Sequence, residues 1–187
     1  MRLLPTDELN NLRSKLTERM IGQENWTPQE HKDFRKWCED EILDLLLISY
    51  TFGCEDANEM LYTEIPPTYQ EMRDSIYKKI AGKDFAERIA EYAESGTVED
   101  IMRVAETDSH RVYNEAANTT AKQGGATQKI WNCAFRNSRD THIYLDGTVV
   151  PMDAAFYTFK GNSAMYPGEF GVAEEDCNCQ CWVTYTR

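Results

Sequence analysis

Apolar residues recur at helical spacing along the first half of the chain, and clear start and stop signals separate the predicted helices. A first helix is predicted from about Thr6 to Gly22, with acidic residues in its first turn. A second is predicted to begin after Thr27, where a cap, a proline and a capping-box glutamate follow one another, and to end near Tyr50, before Gly53. The apolar stripe of the first helix consists of Leu9, Leu12, Leu16 and Met20.

Three more helices are predicted between the prolines at 66–67 and the glycines at 124–125. One begins after Thr68 with another capping box and closes at Gly82, and a short one follows Asp84 and ends near 95–96. The longest begins after Thr97. The buried face of the first of these is predicted to hold Tyr69, Met72, Ile76 and Ile80. The longest helix is predicted to bury Ile101, Val104, Ala105, Val112 and Ala116.

The pattern changes after residue 125, where short runs of β-branched and aromatic residues replace the helical repeat. Strands are predicted over 129–135 and 180–185. Asp146 and Gly147 supply the positive φ angles of a tight turn, so residues 142–150 are predicted to form a β-hairpin. The predicted fold class is therefore α+β, with a helical N-terminal half followed by a long helix packed on a small antiparallel β-sheet.

Two regions are expected, a helical one over 1–96 that binds a partner and an α+β domain over 97–187. The content of 41% hydrophobic and 28% charged residues is typical of a soluble globular protein. No run approaches the roughly 20 apolar residues that cross a bilayer, so no membrane contact is expected. The first seven residues lack the features of a secretory signal, and synthesis in the cytoplasm is expected.

The net charge of −12 is unevenly distributed. Residues 1–100 hold 12 Lys/Arg and 22 Asp/Glu, a balance of −10, whereas residues 101–187 hold 8 and 10. Such an acidic half repels nucleic-acid backbone, and neither a basic patch nor a phosphate-binding glycine loop offsets it. Direct nucleic-acid binding is therefore not expected, and the charge serves solubility or attracts a basic protein surface.

Cysteine and histidine residues form the sharpest chemical pattern in the chain. Three of the six cysteines lie within five residues, at Cys177, Cys179 and Cys181, which without an export signal favours a metal site or a packed core over disulfides. Residues two apart on a strand point to one face, so Cys179 and Cys181 can join His142 in binding a structural zinc ion. The candidates for a fourth ligand are Asp153, Cys177 and Cys133.

The same residues allow two other interpretations. The cysteines can be small buried hydrophobic residues, with His142 hydrogen-bonded within the hairpin. Alternatively, His142 beside Asp140 can activate a cysteine as a nucleophile, as in a toxin-like hydrolase.

Polar residues on the longest helix suggest an architectural role. Asp108 and Arg111 lie three positions apart and can pair, and Asn114 continues the same face. We predict a structural polar network that joins this helix to the hairpin, and the alternative is a solvated helix surface. The network residues are Asp108, Arg111, Asn114, Arg139 and Asp140.

Several landmarks of the second half occur in a recognisable order. They are Thr107-Asp108, Arg111, Asn114, Trp131, residues 139–142 and 145–147, Asp153, Phe156, residues 166–168 and the Asn-Cys-Gln-Cys of 178–181. This series resembles the C-terminal domain of phage minor head proteins, the Mu F-like or head morphogenesis family. The chain departs from the family pattern at Glu106, Asp108 and Gln180, where the family usually has arginine, glutamate and arginine.

The resemblance implies a portal-associated structural protein of the phage or prophage head, present in a few copies, and not an enzyme. Its expected partners are portal, scaffold or capsid protein, and its expected location is the virion or the host cytoplasm. Two alternatives remain open. One is a small acidic inhibitor that blocks the basic groove of a host nucleic-acid-binding enzyme, and the other is the hydrolase described above.

Overall fold

The order of helices and strands follows the predicted change from helical to mixed structure. The computed structural model describes residues 5–135 and 138–187; residues 1–4, part of the segment examined for a secretory signal, and residues 136–137 lie outside it. The elements of the first half are α1 (Thr6–Arg19), α2 (Pro28–Leu61), α3 (Tyr69–Ile76) and α4 (Phe85–Tyr92). The second half contains α5 (Val98–Gln123), β1 (Gln128–Asn132), α6 (Asp140–Ile143), β2 (Val149–Pro151), β3 (Phe156–Tyr157), β4 (Ser163–Ala164), α7 (Ala173–Asp176) and β5 (Trp182–Thr186). The predicted α+β class is confirmed.

Capping boxes begin four of the helices, at the positions where the sequence predicts helix starts. At α2 the Thr27 hydroxyl accepts a hydrogen bond from the Glu30 backbone N–H, and the Glu30 carboxylate accepts one from the Thr27 N–H at 2.6 Å. The same reciprocal pair occurs at Thr68, Asp84 and Thr97. Each box satisfies backbone donors that the first turn of a helix leaves free.

Helix α2 does not end before Gly53, so this boundary was wrong. The helix continues to Leu61 and stops at Tyr62, which has a left-handed φ of 54°. Gly53 is buried where α2 crosses α5, and a Cβ built there lies only 2.2 Å from the Tyr113 carbonyl oxygen. The glycine therefore permits close helix packing rather than ending the helix.

Helix α3 is shorter than predicted and its N-terminal residue faces solvent. It ends at Ile76 and not at Gly82, and Tyr69 is 79% exposed. Ile76 is buried as expected, whereas Ile80 is half-buried in an isolated bridge with Lys83. The sequence could not show the bridge, because its two strands are one residue long.

The predicted hairpin over 142–150 is wrong. Residues 140–143 form the short helix α6, and Asp146-Gly147 connects it to β2. His142 and Leu145 are buried, whereas Ile143 and Tyr144 between them are exposed. Buried residues three positions apart indicate a helical turn, and a strand would bury every second residue instead.

The main sheet has three antiparallel strands in the order β2-β1-β5. Ile130 in the central strand pairs with Val149 on one side and Thr184 on the other. Strand β1 ends at Asn132 rather than at Phe135, because the Cys133 N–H donates to the Asp146 carboxylate at 2.8 Å instead of a strand. Strands β3 and β4 form a separate two-stranded ladder.

Two clusters of buried apolar side chains fill the interior, and α2 and α5 contribute to both. The first cluster lies among α1 to α5, and the second lies between the sheet and the C-terminal parts of α2 and α5. The apolar residues predicted for the buried side of α5 all belong to the first cluster. The long helix packs on the sheet as predicted, and the division of the chain at 96/97 stays a prediction.

None of the helices formed by the described residues has the length and apolar character of a membrane span.

Lys129 is a buried cation in the central strand. Its side chain is inaccessible to solvent, and its ammonium donates a hydrogen bond to the Met165 carbonyl at 2.8 Å. The ammonium also lies 5.4 Å from the centre of the Phe156 ring. Burial lowers the pKa of Lys129 to about 8.

Replacing Lys129 with methionine is expected to change how stability depends on pH between 8 and 10.5. In this window Lys129 is neutral in the folded chain and protonated in the unfolded chain. The wild-type free energy of unfolding therefore increases as the pH rises. The free energy of unfolding of the variant minus that of wild type should therefore fall by about 3 kcal/mol across the window. Urea unfolding at several pH values measures it, with the same replacement at the exposed Lys160 as the control. A constant difference at Lys129 would contradict the prediction.

Candidate metal centre

Three side chains that can bind a metal ion meet in the second core. The Nδ1 of His142 lies 3.5 Å from the Sγ of Cys179 and 3.5 Å from the Sγ of Cys181. One ligand atom from each residue lies within 4.8 Å of the other two, and all three residues are buried. The described residues thus contain a His/Cys/Cys cluster that could hold a metal ion.

Different elements bring these side chains together. Helix α6 places His142 on its buried face, and the two cysteines lie just before β5. Helix α5 holds the cysteine segment, because the Asn114 amide donates to the Cys181 carbonyl at 3.2 Å. The Asn178 N–H also donates to the Thr107 hydroxyl at 3.3 Å. Hydrogen bonds to the long helix α5 therefore help to hold the segment that carries the two cysteines in place.

A carboxylate faces the other side of the imidazole ring. The Nε2 of His142 lies 3.2 Å from the Glu175 Oε2, although the alignment falls short of a hydrogen bond. Glu175 is buried, and it accepts hydrogen bonds from Thr141 at 2.8 Å and Asn162 at 3.1 Å. Sequence reasoning missed Glu175, because it lies among three consecutive acidic residues that look alike in sequence.

Aromatic rings enclose the imidazole. The Phe170 ring stacks on His142 at a centroid distance of 5.4 Å, and Trp131 contacts it edge-on at 5.6 Å. The cluster is therefore shielded from water and surrounded by apolar groups, a setting that strengthens electrostatic interactions inside it.

The cluster does not have the electrostatics of an activated nucleophile. The adjacent Cys179 thiol, followed by burial, raises the pKa of the Cys181 thiol well above its usual value. Reactive cysteines have lowered pKa values and partial exposure. The arrangement therefore does not suit nucleophilic attack by Cys181.

The other predicted ligands lie in different places. Asp153 is exposed and forms an ion pair with Lys122 at 2.7 Å. Cys177 is half-buried, and its carbonyl accepts a hydrogen bond from Arg139. Neither belongs to the group of close ligand atoms found among the described residues. Cys133 is buried and also lies outside this group, and burial raises the pKa of its thiol.

The polar residues of α5 bind mainly to the preceding helices. Asp108 accepts hydrogen bonds from Arg88 of α4 at 2.6 and 2.7 Å and from Arg111 at 3.3 Å. Arg111 donates to the Ser75 carbonyl at 2.9 Å and to Glu115 at 3.0 Å. This network fixes α5 to α3 and α4.

Arg139 and Asp140 lie apart from this network, which corrects the predicted grouping. Within residues 5–135 and 138–187, neither forms a hydrogen bond or ion pair with Asp108, Arg111 or Asn114. The segment they begin is helix α6 rather than a hairpin strand, and Asp140 is exposed at its first turn. The hydrogen bonds between α5 and the cysteine segment come instead from Asn114 and Thr107.

Comparison with known proteins gives two kinds of match. The model of a family described as phage Mu protein F like protein matches residues 69–184, from the start of α3 into β5. A minor head protein of Bacillus phage SPP1 is 34% identical over 85 residues, covering 43% of this chain and 28% of that protein. An NAD(+)–arginine ADP-ribosyltransferase of Enterococcus faecalis is 37% identical over 108 residues, covering 54% of this chain and 22% of that protein. The chain thus spans less than a third of the length of either relative, and no solved structure matches it.

Proposed function

The chain belongs to the family of phage Mu protein F like proteins, and we propose that it serves as a minor head protein in phage head morphogenesis. The family predicted from the landmark residues is confirmed. The proposal rests on one observation, the family match over residues 69–184, which the relative from phage SPP1 supports by its name.

We propose a structural role rather than an enzymatic one. The word transferase in the name of the Enterococcus relative describes a protein of which this chain covers 22%. The raised pKa of Cys181 and the burial of His142 argue against a cysteine nucleophile at the cluster. The hydrolase and the acidic inhibitor are not favoured, because neither explains the family match.

We propose that the helical half contributes a partner surface at the groove between α2 and α3. Leu43 and Leu47 of α2 and Met72 of α3 are partly buried along this groove, and Tyr69 projects beside it. Arg73 adds a cation to this apolar lining. Tyrosine and arginine next to aliphatic groups are typical of residues that dominate binding energy in protein interfaces. Portal protein is the partner proposed, because the family resemblance implies a position near the portal.

Replacing Tyr69 with alanine is expected to weaken binding to portal protein about tenfold or more, because a large ring leaves the interface. The fold should be unaffected, since Tyr69 is 79% exposed. Co-sedimentation of the chain with purified portal assemblies measures binding, and Tyr62→Ala is the matched control because Tyr62 is 96% exposed outside the groove.

Two outcomes of this experiment would count against parts of the proposal. Equal binding by the two variants would rule out the groove while leaving the head role intact. If wild type sedimented with none of portal, scaffold or major capsid protein, the proposed head role itself would be wrong.

We propose that the ion suited to the cluster is a structural zinc. Zinc bonds of about 2.3 Å to sulfur and about 2.0–2.1 Å to nitrogen, at a tetrahedral angle, separate the nitrogen and sulfur by about 3.5 Å. Both distances from the His142 Nδ1 to the cysteine sulfurs are 3.5 Å. Two thiolates and an imidazole are also the donor types that zinc prefers.

The wild-type chain purified without chelator should contain one zinc ion. The His142→Ala chain should contain none, because loss of one of the three ligands in the cluster abolishes tight binding. Elemental analysis against protein concentration measures the ratio. Cys177→Ala is the control and should keep the ion, since Cys177 lies outside the cluster. Equal zinc content in all three proteins, or none in wild type after zinc is added, would reject this site.

A further inference from the structure

Two acidic side chains of helix α7 are buried in the second core, although their neighbour faces solvent. Glu174 is exposed, whereas Glu175 and Asp176 are only 1% and 5% exposed. Glutamate and aspartate are almost never this buried unless other groups compensate their charge. The two acids therefore have a role inside the fold, beyond keeping its surface soluble.

Asp176 anchors α7 to the chain that precedes it. Its two carboxylate oxygens accept hydrogen bonds from the backbone N–H groups of Phe170 at 3.0 Å and Gly171 at 2.7 Å. The ring of the same Phe170 stacks on the imidazole of His142 at 5.4 Å. The helix that carries Glu175 is thus placed by hydrogen bonds in which His142 takes no part.

The Glu175 carboxylate is held at both of its oxygens. Oε1 accepts a hydrogen bond from the Asn162 amide at 3.1 Å, and Oε2 accepts one from the Thr141 hydroxyl at 2.8 Å. Both donors are neutral, and the one ion-pair contact of Glu175 within the described residues is with His142. Buried charges in proteins are paired, so the imidazole is the group that can compensate this one.

The position of Glu175 determines which nitrogen of His142 carries the ring proton. A carboxylate oxygen only accepts hydrogen bonds, and Oε2 lies 3.2 Å from Nε2. Nε2 has no hydrogen-bond partner elsewhere in residues 5–135 and 138–187, so a proton on Nε2 has this carboxylate as its acceptor. In a neutral imidazole the other nitrogen then keeps a free lone pair. That nitrogen is Nδ1, which lies 3.5 Å from both cysteine sulfurs.

We propose that Glu175 is a positioning residue, which holds His142 as the Nε2–H tautomer and directs the lone pair of Nδ1 toward the two cysteine sulfurs. The consequence for metal binding rests on the proposed zinc. Ligand histidines commonly donate their other ring N–H to a carboxylate, and loss of that partner weakens metal binding about 10–100-fold. Glu175 acts through the ring, because it faces the nitrogen that does not bind the ion.

Glu175→Gln tests the effect on the metal, and Glu174→Gln is the matched control because Glu174 is exposed on the same helix. Zinc affinity, measured by competition with a chromophoric chelator, should fall about 10–100-fold in Glu175→Gln and should not change in Glu174→Gln. Zinc content at saturation should be the same in both variants and in wild type, since no ligand is removed. Equal affinities in all three proteins would overturn the role of Glu175 at the metal.

The tautomer is measured on metal-free wild type, so this test does not depend on zinc. Two-bond nitrogen–proton NMR correlations should show the His142 proton on Nε2, with the His142→Ala chain identifying the signal. In Glu175→Gln the Nδ1–H form should become more populated at the same pH, because a neutral amide is a weaker acceptor than a carboxylate.

The outcomes separate this proposal from the proposed zinc. A proton on Nδ1 of wild type would overturn the positioning role, and this measurement decides even if Glu175→Gln does not fold. If wild type binds no zinc, the proposed ion is wrong, whereas the tautomer still supports or overturns the role of Glu175 at the imidazole.

Discussion

Replacing Asp108 with asparagine is expected to lower the free energy of unfolding by about 3–5 kcal/mol. Asp108 is 1% exposed and accepts hydrogen bonds from two guanidinium groups, Arg88 and Arg111. Arg111 is itself only 2% exposed, so it cannot recover solvent when one of its two anionic partners, Asp108 rather than Glu115, is lost. The cost arises because a buried cation is left without full compensation.

Asp40→Asn is the matched control for this prediction. Asp40 pairs with Lys36 at 3.2 Å, but both side chains are largely exposed, so the loss should be at most about 0.5 kcal/mol. Urea unfolding of the two variants and wild type gives the comparison. A loss for Asp108→Asn as small as that for Asp40→Asn would mean that water reaches the network in solution.

Replacing Gly53 with alanine is expected to destabilise the chain by about 3 kcal/mol, because the helices are overpacked at their crossing. The new methyl group would lie 2.2 Å from the Tyr113 carbonyl oxygen and 3.0 Å from the Ala116 Cβ. The oxygen belongs to the backbone of α5, so a side-chain rotation cannot relieve the contact, and α2 and α5 must move apart. The expected loss exceeds the gain of about 1 kcal/mol that alanine gives over glycine inside a helix.

Gly124→Ala is the control, because Gly124 has an ordinary φ of −73° and a Cβ there would have no contact shorter than 3.1 Å, to the flexible end of Leu61, with the Thr120 carbonyl oxygen next at 3.3 Å. Its effect on the thermal midpoint should correspond to less than about 1 kcal/mol. Gly53→Ala should lower the midpoint far more. If Gly53→Ala were as stable as wild type, the helices would not approach as closely as the structure shows.

The helix starts could be predicted because their signals are local. At Thr27, Thr68 and Thr97 the cap and its partner lie three residues apart, so a short window contains the whole interaction. Helix ends were less predictable. Gly53 resembles a stop signal in sequence, and only its distance to Tyr113, 60 positions later, shows that packing requires it.

The candidate site was predictable in its residue types but not in its surroundings. Cys179, Cys181 and His142 have the side chains that a soft metal ion prefers, whichever element carries them, and the structure brings them together although His142 lies on a helix rather than a strand. The sequence does not single out Glu175, because its position beside His142 depends on long-range packing around the imidazole.

The two helices that run through both cores have a mechanical consequence. At 1.5 Å per residue, the 34 residues of α2 and the 26 of α5 span about 50 and 40 Å, and they cross at Gly53 with almost no clearance. Because the helices have so little room to slide at this crossing, we expect a load applied at the α2–α3 groove to reach the sheet as well.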